Sequence, residues 1–343
     1  MRALVLTSLL LLALVAVERA LAPRRGDDPL RAPTVGRLIP PEVARGRTVS
    51  ALSVADGRGE LLYLRSKGLW RSREGFGAIA ETAAVEELVA CFLEAQGSER
   101  TRDRERAAAY GLGPQQTTFR LHGPKVIDDP ARDVLFAFEV GTSFAGGAHG
   151  LAFVRAEGDD AVLEVDRDPR AVLARHERGG LPPMLDLRLL AGCLGGDFGG
   201  FRRFRVEPRA GSAFVVEHGD GPPESSWALV RDGAREPAMF WRAGGYTALW
   251  VRGRYQGVAS PAQAAELGLD PPELRVTLEA DGAEPIVVEV SALRPSGEAW
   301  VWNRRTNVVM AVDRDTHAEI AATPAMFTDA SRENPWERWL RTK

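Results

Sequence analysis

Ala107-Ala108-Ala109-Tyr110-Gly111-Leu112-Gly113-Pro114 returns further along the chain as Ala264-Ala265-Glu266-Leu267-Gly268-Leu269-Asp270-Pro271. Each phrase leads into an alternating apolar run, Phe119 and Leu121 in one place, Leu274, Val276 and Leu278 in the other. That alternation has the period of a half-buried strand. The chain reads as a tandem duplication.

The match extends in both directions. Upstream, Val49, Leu52 and Val54 answer to Phe201, Phe204 and Val206, Leu62 and Leu64 to Phe214 and Val216, and Trp70 to Trp227. Downstream, Phe136, Phe138 and Val140 answer to Ile286, Val288 and Val290, and Phe153-Val154 to Val301-Trp302. Val165-Asp166-Arg167-Asp168 answers to Val312-Asp313-Arg314-Asp315. A period this long indicates duplicated domains, because solenoid repeats are about 20–50 residues.

At 343 residues the chain exceeds the roughly 100–200 of one domain. Two domains are expected, 47–178 and 187–324. In the first, Thr48–Val54 and Glu60–Ser66 flank Asp56-Gly57-Arg58-Gly59, a hairpin signature that Trp70 continues. A helix is predicted over Ala83–Ala95, capped by Thr82, with Val85, Leu88, Val89, Phe92 and Leu93 at helical spacing. Strands follow at Thr117–Leu121, Val134–Val140, Leu151–Val154 and Ala161–Val165, then a short helix after Asp168-Pro169. The second copy keeps the order, with Phe201–Val206, Ala213–Val216, Trp227–Val230, a helix around Tyr246–Val251, and strands after Pro272. The predicted fold is α+β: two tandem similar domains, each a mainly antiparallel sheet with one principal helix, behind an N-terminal hydrophobic segment.

Residues 1–22 read as a signal or membrane-anchor segment, since Arg2 precedes the apolar run Ala3–Val17. As a helix that run spans about 22 Å against a hydrocarbon core of about 30 Å, which suits a signal core. Pro23 after Ala20-Leu21-Ala22 is poor for cleavage, so anchor and cleaved signal both stay open. Residues 23–46 read as a Pro/Arg-rich spacer, and 325–343 as a tail whose Trp336, Trp339 and Leu340 are expected to pack on a domain. The expected location is the cytoplasmic membrane, with the bulk extracytoplasmic, or a periplasmic or secreted product. Charge is nearly balanced, 44 basic against 47 acidic residues, which gives no footprint for nucleic acid. Cys91 and Cys193 are expected as free thiols.

No motif carries chemistry. Gly141–Gly150 lacks the Gly-Lys-Ser/Thr of a phosphate loop, and Ala145 stands where a nucleophile elbow has glycine. It is expected as a loop, with Ser143 and His149 the residues a secreted hydrolase would use. The Asp-Arg-Asp triplets are read as helix caps before metal sites. His122, His149, His176, His218 and His317 form no ligand spacing. Gly195–Gly200 reads as a hinge between the copies. No catalytic, cofactor-binding or metal-ligating residue is expected, and no cofactor. A glycan or polymer-binding module would draw on Trp241, Trp250, Trp300 or Trp302, although indoles at alternating positions usually serve a core.

At its Gly-Leu-x-Pro turns the sequence resembles the bacterial envelope family named domain of unknown function 4340. Leu267-Gly268-Leu269-Asp270-Pro271-Pro272 fits that family's turn, and Tyr110-Gly111-Leu112-Gly113-Pro114-Gln115 departs by glycine for aspartate and glutamine for the second proline. Trp70, Ala84-Val85-Glu86-Glu87-Leu88 and Leu187-Arg188-Leu189-Leu190 add to the likeness. The resemblance implies a membrane-tethered extracytoplasmic accessory or scaffold protein, partnered with ABC-type exporter subunits or gliding-like envelope proteins. It implies no reaction and no catalytic role for Asp270.

Overall fold

Period-2 alternation places Leu52 and Val54, and equally Phe204 and Val206, on one buried face of their strands. The computed structural model describes residues 35–57, 59–113, 116–124, 133–144, 150–195, 198–222 and 226–329. It contains two nine-stranded sheets, antiparallel at each register determined. The first comprises β1 (Val35–Arg37), β2 (Ala51–Asp56), β3 (Gly59–Ser66), β4 (Leu69–Ser72), β5 (Gln96–Thr101), β6 (Thr117–His122), β7 (Val134–Phe144), β8 (Leu151–Ala156) and β9 (Val162–Val165). The second comprises β10 (Arg203–Pro208), β11 (Phe214–His218), β12 (Trp227–Arg231), β13 (Ala234–Pro237), β14 (Gly257–Ala259), β15 (Leu274–Glu279), β16 (Ile286–Val290), β17 (Glu298–Asn303) and β18 (Val308–Asp313).

Without the edge strands β1 and β13, the orders are β5-β9-β8-β7-β6-β2-β3-β4 and β14-β18-β17-β16-β15-β10-β11-β12. Taken by order along the chain, these are one topology. A long helix stands at the same point of each: Thr82–Leu93 between β4 and β5, and Phe240–Arg252 between β13 and β14. Ala84, Val85, Leu88, Val89, Cys91 and Phe92 form the buried side of the first, Ala243, Tyr246 and Trp250 that of the second. Burying each large apolar side chain contributes about 1.5–3 kcal/mol.

Registers refine the internal alignment. Leu52 faces Tyr63 and Val54 faces Leu61, whereas Phe204 faces Val216 and Val206 faces Phe214. Leu61 and Tyr63 are therefore the counterparts of Phe214 and Val216, in place of Leu62 and Leu64. The hairpin loops differ in length, and a one-residue slip reverses a strand's faces; Leu62 and Leu64 accordingly pack with Ala51 in a separate cluster. Val140 faces Val154 while Val290 faces Val301, so Phe153 corresponds to Trp300. The matches of Phe136, Phe138 and Val140 to Ile286, Val288 and Val290, and of Val165 to Val312, agree with the registers.

The compact units are not contiguous in sequence. One holds the described residues up to Arg65 with Ala83–His176, and the other holds Ser66–Thr82 with Glu177 onward. Within the latter, main-chain bonds join Asp186 N to Ile79 O (2.9 Å) and Glu81 N to Met184 O (2.7 Å). Arg71 also donates to Thr306 O at 2.9 Å.

Part of the expected spacer is folded. Arg37 pairs with Gln96, Leu38 N donates to Ala95 O, and Leu38 and Ile39 are buried. The start of the expected tail also belongs to a core, because Phe327 is buried and its carbonyl accepts from Met239 N. Residues 1–22 and 330–343 lie outside the described residues. Among the described residues no helix is long and apolar enough to cross a membrane.

Candidate functional site

The repeated phrase is a packing device. In the first unit Ala107, Tyr110 and Leu112 bury against Phe153 and Val162; in the second Ala264, Leu267 and Leu269 bury with Ala259 against Val309, Trp300 and Trp302. Gly111 and Gly268 end their short helical turns at φ 74°, and Leu112 N and Leu269 N donate back to Ala107 O and Ala264 O. Apolar side chains thus close over one face of each sheet, where alternation would otherwise expose aromatics. Asp270 precedes Pro271 within this turn.

Gly141, Thr142, Ser143 and Phe144 belong to β7, where a loop is expected. Ser143 pairs with Ala152 beyond a bulge and is exposed. His149 lies outside the described residues, as do Pro114 and Gly196-Asp197. Trp250 is buried, and Trp300 and Trp302 are half-buried beneath the turn. The Trp302 indole N–H donates to Asn307 Oδ1 at 3.1 Å, and the Arg304 guanidinium lies 3.4 Å from its ring centroid. Arg304 also donates to Glu289, which Arg275 reaches at 2.8 Å. Trp241 is half-buried with Arg242 stacked over it at 4.2 Å.

Asp168 Oδ1 accepts from Arg170 N at 3.0 Å, so it caps the helix Pro169–Arg175. In the second copy the cap is Asp313, which accepts from Thr316 N at 2.8 Å. Among the described residues no group of His, Cys, Asp or Glu could hold a metal. Both cysteines are free, and burial pushes the Cys91 thiol up to about 11 and raises that of Cys193, so neither is an activated thiolate.

The structure brings together two serine–histidine pairs that the sequence analysis does not single out, because their members meet through strand pairing. Ser53 Oγ lies 3.0 Å from His122 Nε2, with both residues buried. Ser226 Oγ lies 2.7 Å from His218 Nε2, and Arg202 reaches His218 Nδ1 at 2.8 Å. A guanidinium can only donate, so Nδ1 accepts and Nε2 carries the proton toward Ser226. This tautomer cannot take the serine proton, the reverse of what a general base requires.

A cleft of about 550 Å³ in the second unit is the remaining candidate, within the roughly 300–1,000 Å³ of small-ligand sites. It opens between the β10–β11 turn at Pro208 and Gly211-Ser212, the entry to β15 at Glu273-Leu274, the loop at Ala292-Leu293, and His317 with Ala321–Pro324. The Asp313 cap fixes the helix Arg314–Ile320, which carries His317 one turn from its start. Burial lowers the His317 pKa, opposed by a hydrogen bond to the Ser291 backbone and by Glu273. Burial thus works against the charged imidazole, and the uncharged ring has one nitrogen that donates and one that accepts. Arg231 and Asp232 pair at 3.7 Å on the rim. Glu273 is exposed, with no ion-pair partner among the described residues.

No family model, curated protein or solved structure matches the chain.

Proposed function

We propose that this protein is a non-enzymatic accessory or scaffold of an envelope export complex, tethered through its N-terminal segment with both sheet units outside the cytoplasmic membrane. The observation that carries the reading is the duplication. Two sheets share one eight-strand order, and the phrase repeated between them is committed to packing. Duplicated units of this kind present two related surfaces on one chain. The hydrophobic run Ala3–Val17 supplies a tether, and exporter subunits or other envelope proteins are the proposed partners.

Protease added to intact spheroplasts, with fractionation alongside, tests the compartment. Digestion of a membrane-associated protein supports the proposal, and a protected cytosolic protein overturns it. Affinity isolation from solubilised membranes tests the partners separately, and recovery without any transporter subunit removes that part. A polymer-binding module is the rival reading, and Trp241, in a pocket of about 210 Å³ with Met326 and Phe327, is the observation in its favour.

A further inference from the structure

The cleft beside His317 combines apolar walls with an unbalanced charge. Phe214 and Leu274 are buried at its base, and Leu293 and Pro324 complete a hydrocarbon-lined wall. Of its four charged or titratable residues, Arg231 and Asp232 stand beside each other as an ion pair, and burial disfavours the charged form of His317. Glu273 remains, a carboxylate without an ion-pair partner among the described residues, lining the same cleft as His317 and close enough to interact with its ring electrostatically. The Glu273 carboxylate and the uncharged His317 ring both offer acceptors. An anion would meet Glu273, and among the described lining residues Arg231 is the one cation and already pairs with Asp232, whereas an ammonium would supply donors to both acceptors while its carbon chain covers the apolar wall.

We propose that this cleft binds an organic cation, an ammonium group carried on an apolar arm, with Glu273 and His317 receiving the charged end and Phe214, Leu274 and Leu293 the hydrocarbon. The inference does not depend on the scaffold reading. A free alkylamine and a lysine side chain share this chemistry.

Titration calorimetry of the full chain at neutral pH with n-hexylamine, 1-hexanol and hexanoate tests it. Saturable hexylammonium binding is expected with a Kd of about 1 mM or tighter, the scale open to a ligand of that size. Hexanol and hexanoate should bind at least about tenfold more weakly, the loss expected when a charge-assisted bond is removed. Glu273→Gln should weaken hexylammonium by about tenfold, while Glu298→Gln, exposed and outside the cleft, leaves it unchanged. Ala292→Trp, an exposed loop position on the wall, should abolish binding by filling the cleft, in a protein whose circular dichroism is unaltered. Nα-acetyl-lysine methylamide binding as tightly as hexylamine would identify a lysine side chain as the source, and clearly weaker binding a free amine. The proposal is overturned by no saturable binding, by hexanol or hexanoate binding as tightly as hexylammonium, or by full affinity retained in Glu273→Gln or Ala292→Trp.

Discussion

Gly111 and Gly268 stand at the same point of two sheets with one strand order, and each holds φ at 74°. Their surroundings differ. A Cβ at Gly111 would overlap Thr142 Oγ1 and lie 2.7 Å from the Thr142 amide nitrogen, whereas at Gly268 the nearest atom is Ser291 Cβ at 3.6 Å.

Gly268→Ala should therefore cost only the left-handed backbone conformation, about 1 kcal/mol. Gly111→Ala adds a clash with main chain that cannot rotate away, and about 3 kcal/mol or more is expected. Urea denaturation of both variants checks this, and equal losses would show that the two turns are packed alike.

Glu289 is buried between Arg275 and Arg304, whose side chains are 49% and 40% exposed. Removing a buried carboxylate from paired cations costs about 3–5 kcal/mol. Because these arginines can turn to water, Glu289→Ala is expected to cost about 2–3 kcal/mol. Asp281→Ala, which breaks the exposed pair with Arg202, should cost less than about 0.5 kcal/mol. Denaturant midpoints of the two variants give the comparison.

Asp313 is held below the usual carboxylate range, first by the Thr316 backbone amide and then by the Thr316 and Gln256 side chains. A depressed folded pKa adds stability above the unfolded value of about 3.9 and loses it as pH falls through the folded value. Below about pH 4 the wild type should thus lose more stability than Asp313→Asn. Parallel slopes in a pH series of unfolding curves would contradict the assignment. Asp313→Ala should cost about 1 kcal/mol at pH 7 as a lost cap.

Ser226 sits beside an imidazole that donates to it, so a fluorophosphonate probe should leave it unlabelled, and Ser226→Ala should change stability by about 1 kcal/mol or less. Mass-spectrometric detection of a Ser226 adduct would show that the tautomer is the opposite one.

The duplication, the strand-rich character of each copy and both principal helices were legible in the sequence, because side-chain period follows directly from backbone geometry. The Asp168 cap was legible for the same reason, being set by residues two apart. The face assignment of Leu62 and Leu64 was not, since it depends on the lengths of the two hairpin loops. Nor were the Ser226–His218 pair and the cleft at Glu273 and His317. Glu273 and His317 lie far apart in the chain, and Ser226 and His218, eight residues apart, meet only because β11 and β12 pair in the register that sets His218 opposite Trp227.

Sequence by itself determined the local periods, the repeated turn and its glycines, which are properties of a few consecutive residues. Tertiary structure alone decided that residues 66–82 pack with the second unit, that Leu38, Ile39 and Phe327 join cores, and that Arg202 sets the tautomer of His218. Those outcomes depend on which surfaces of distant segments complement one another. That pairing is a property of the assembled chain, and no local window of it carries the information.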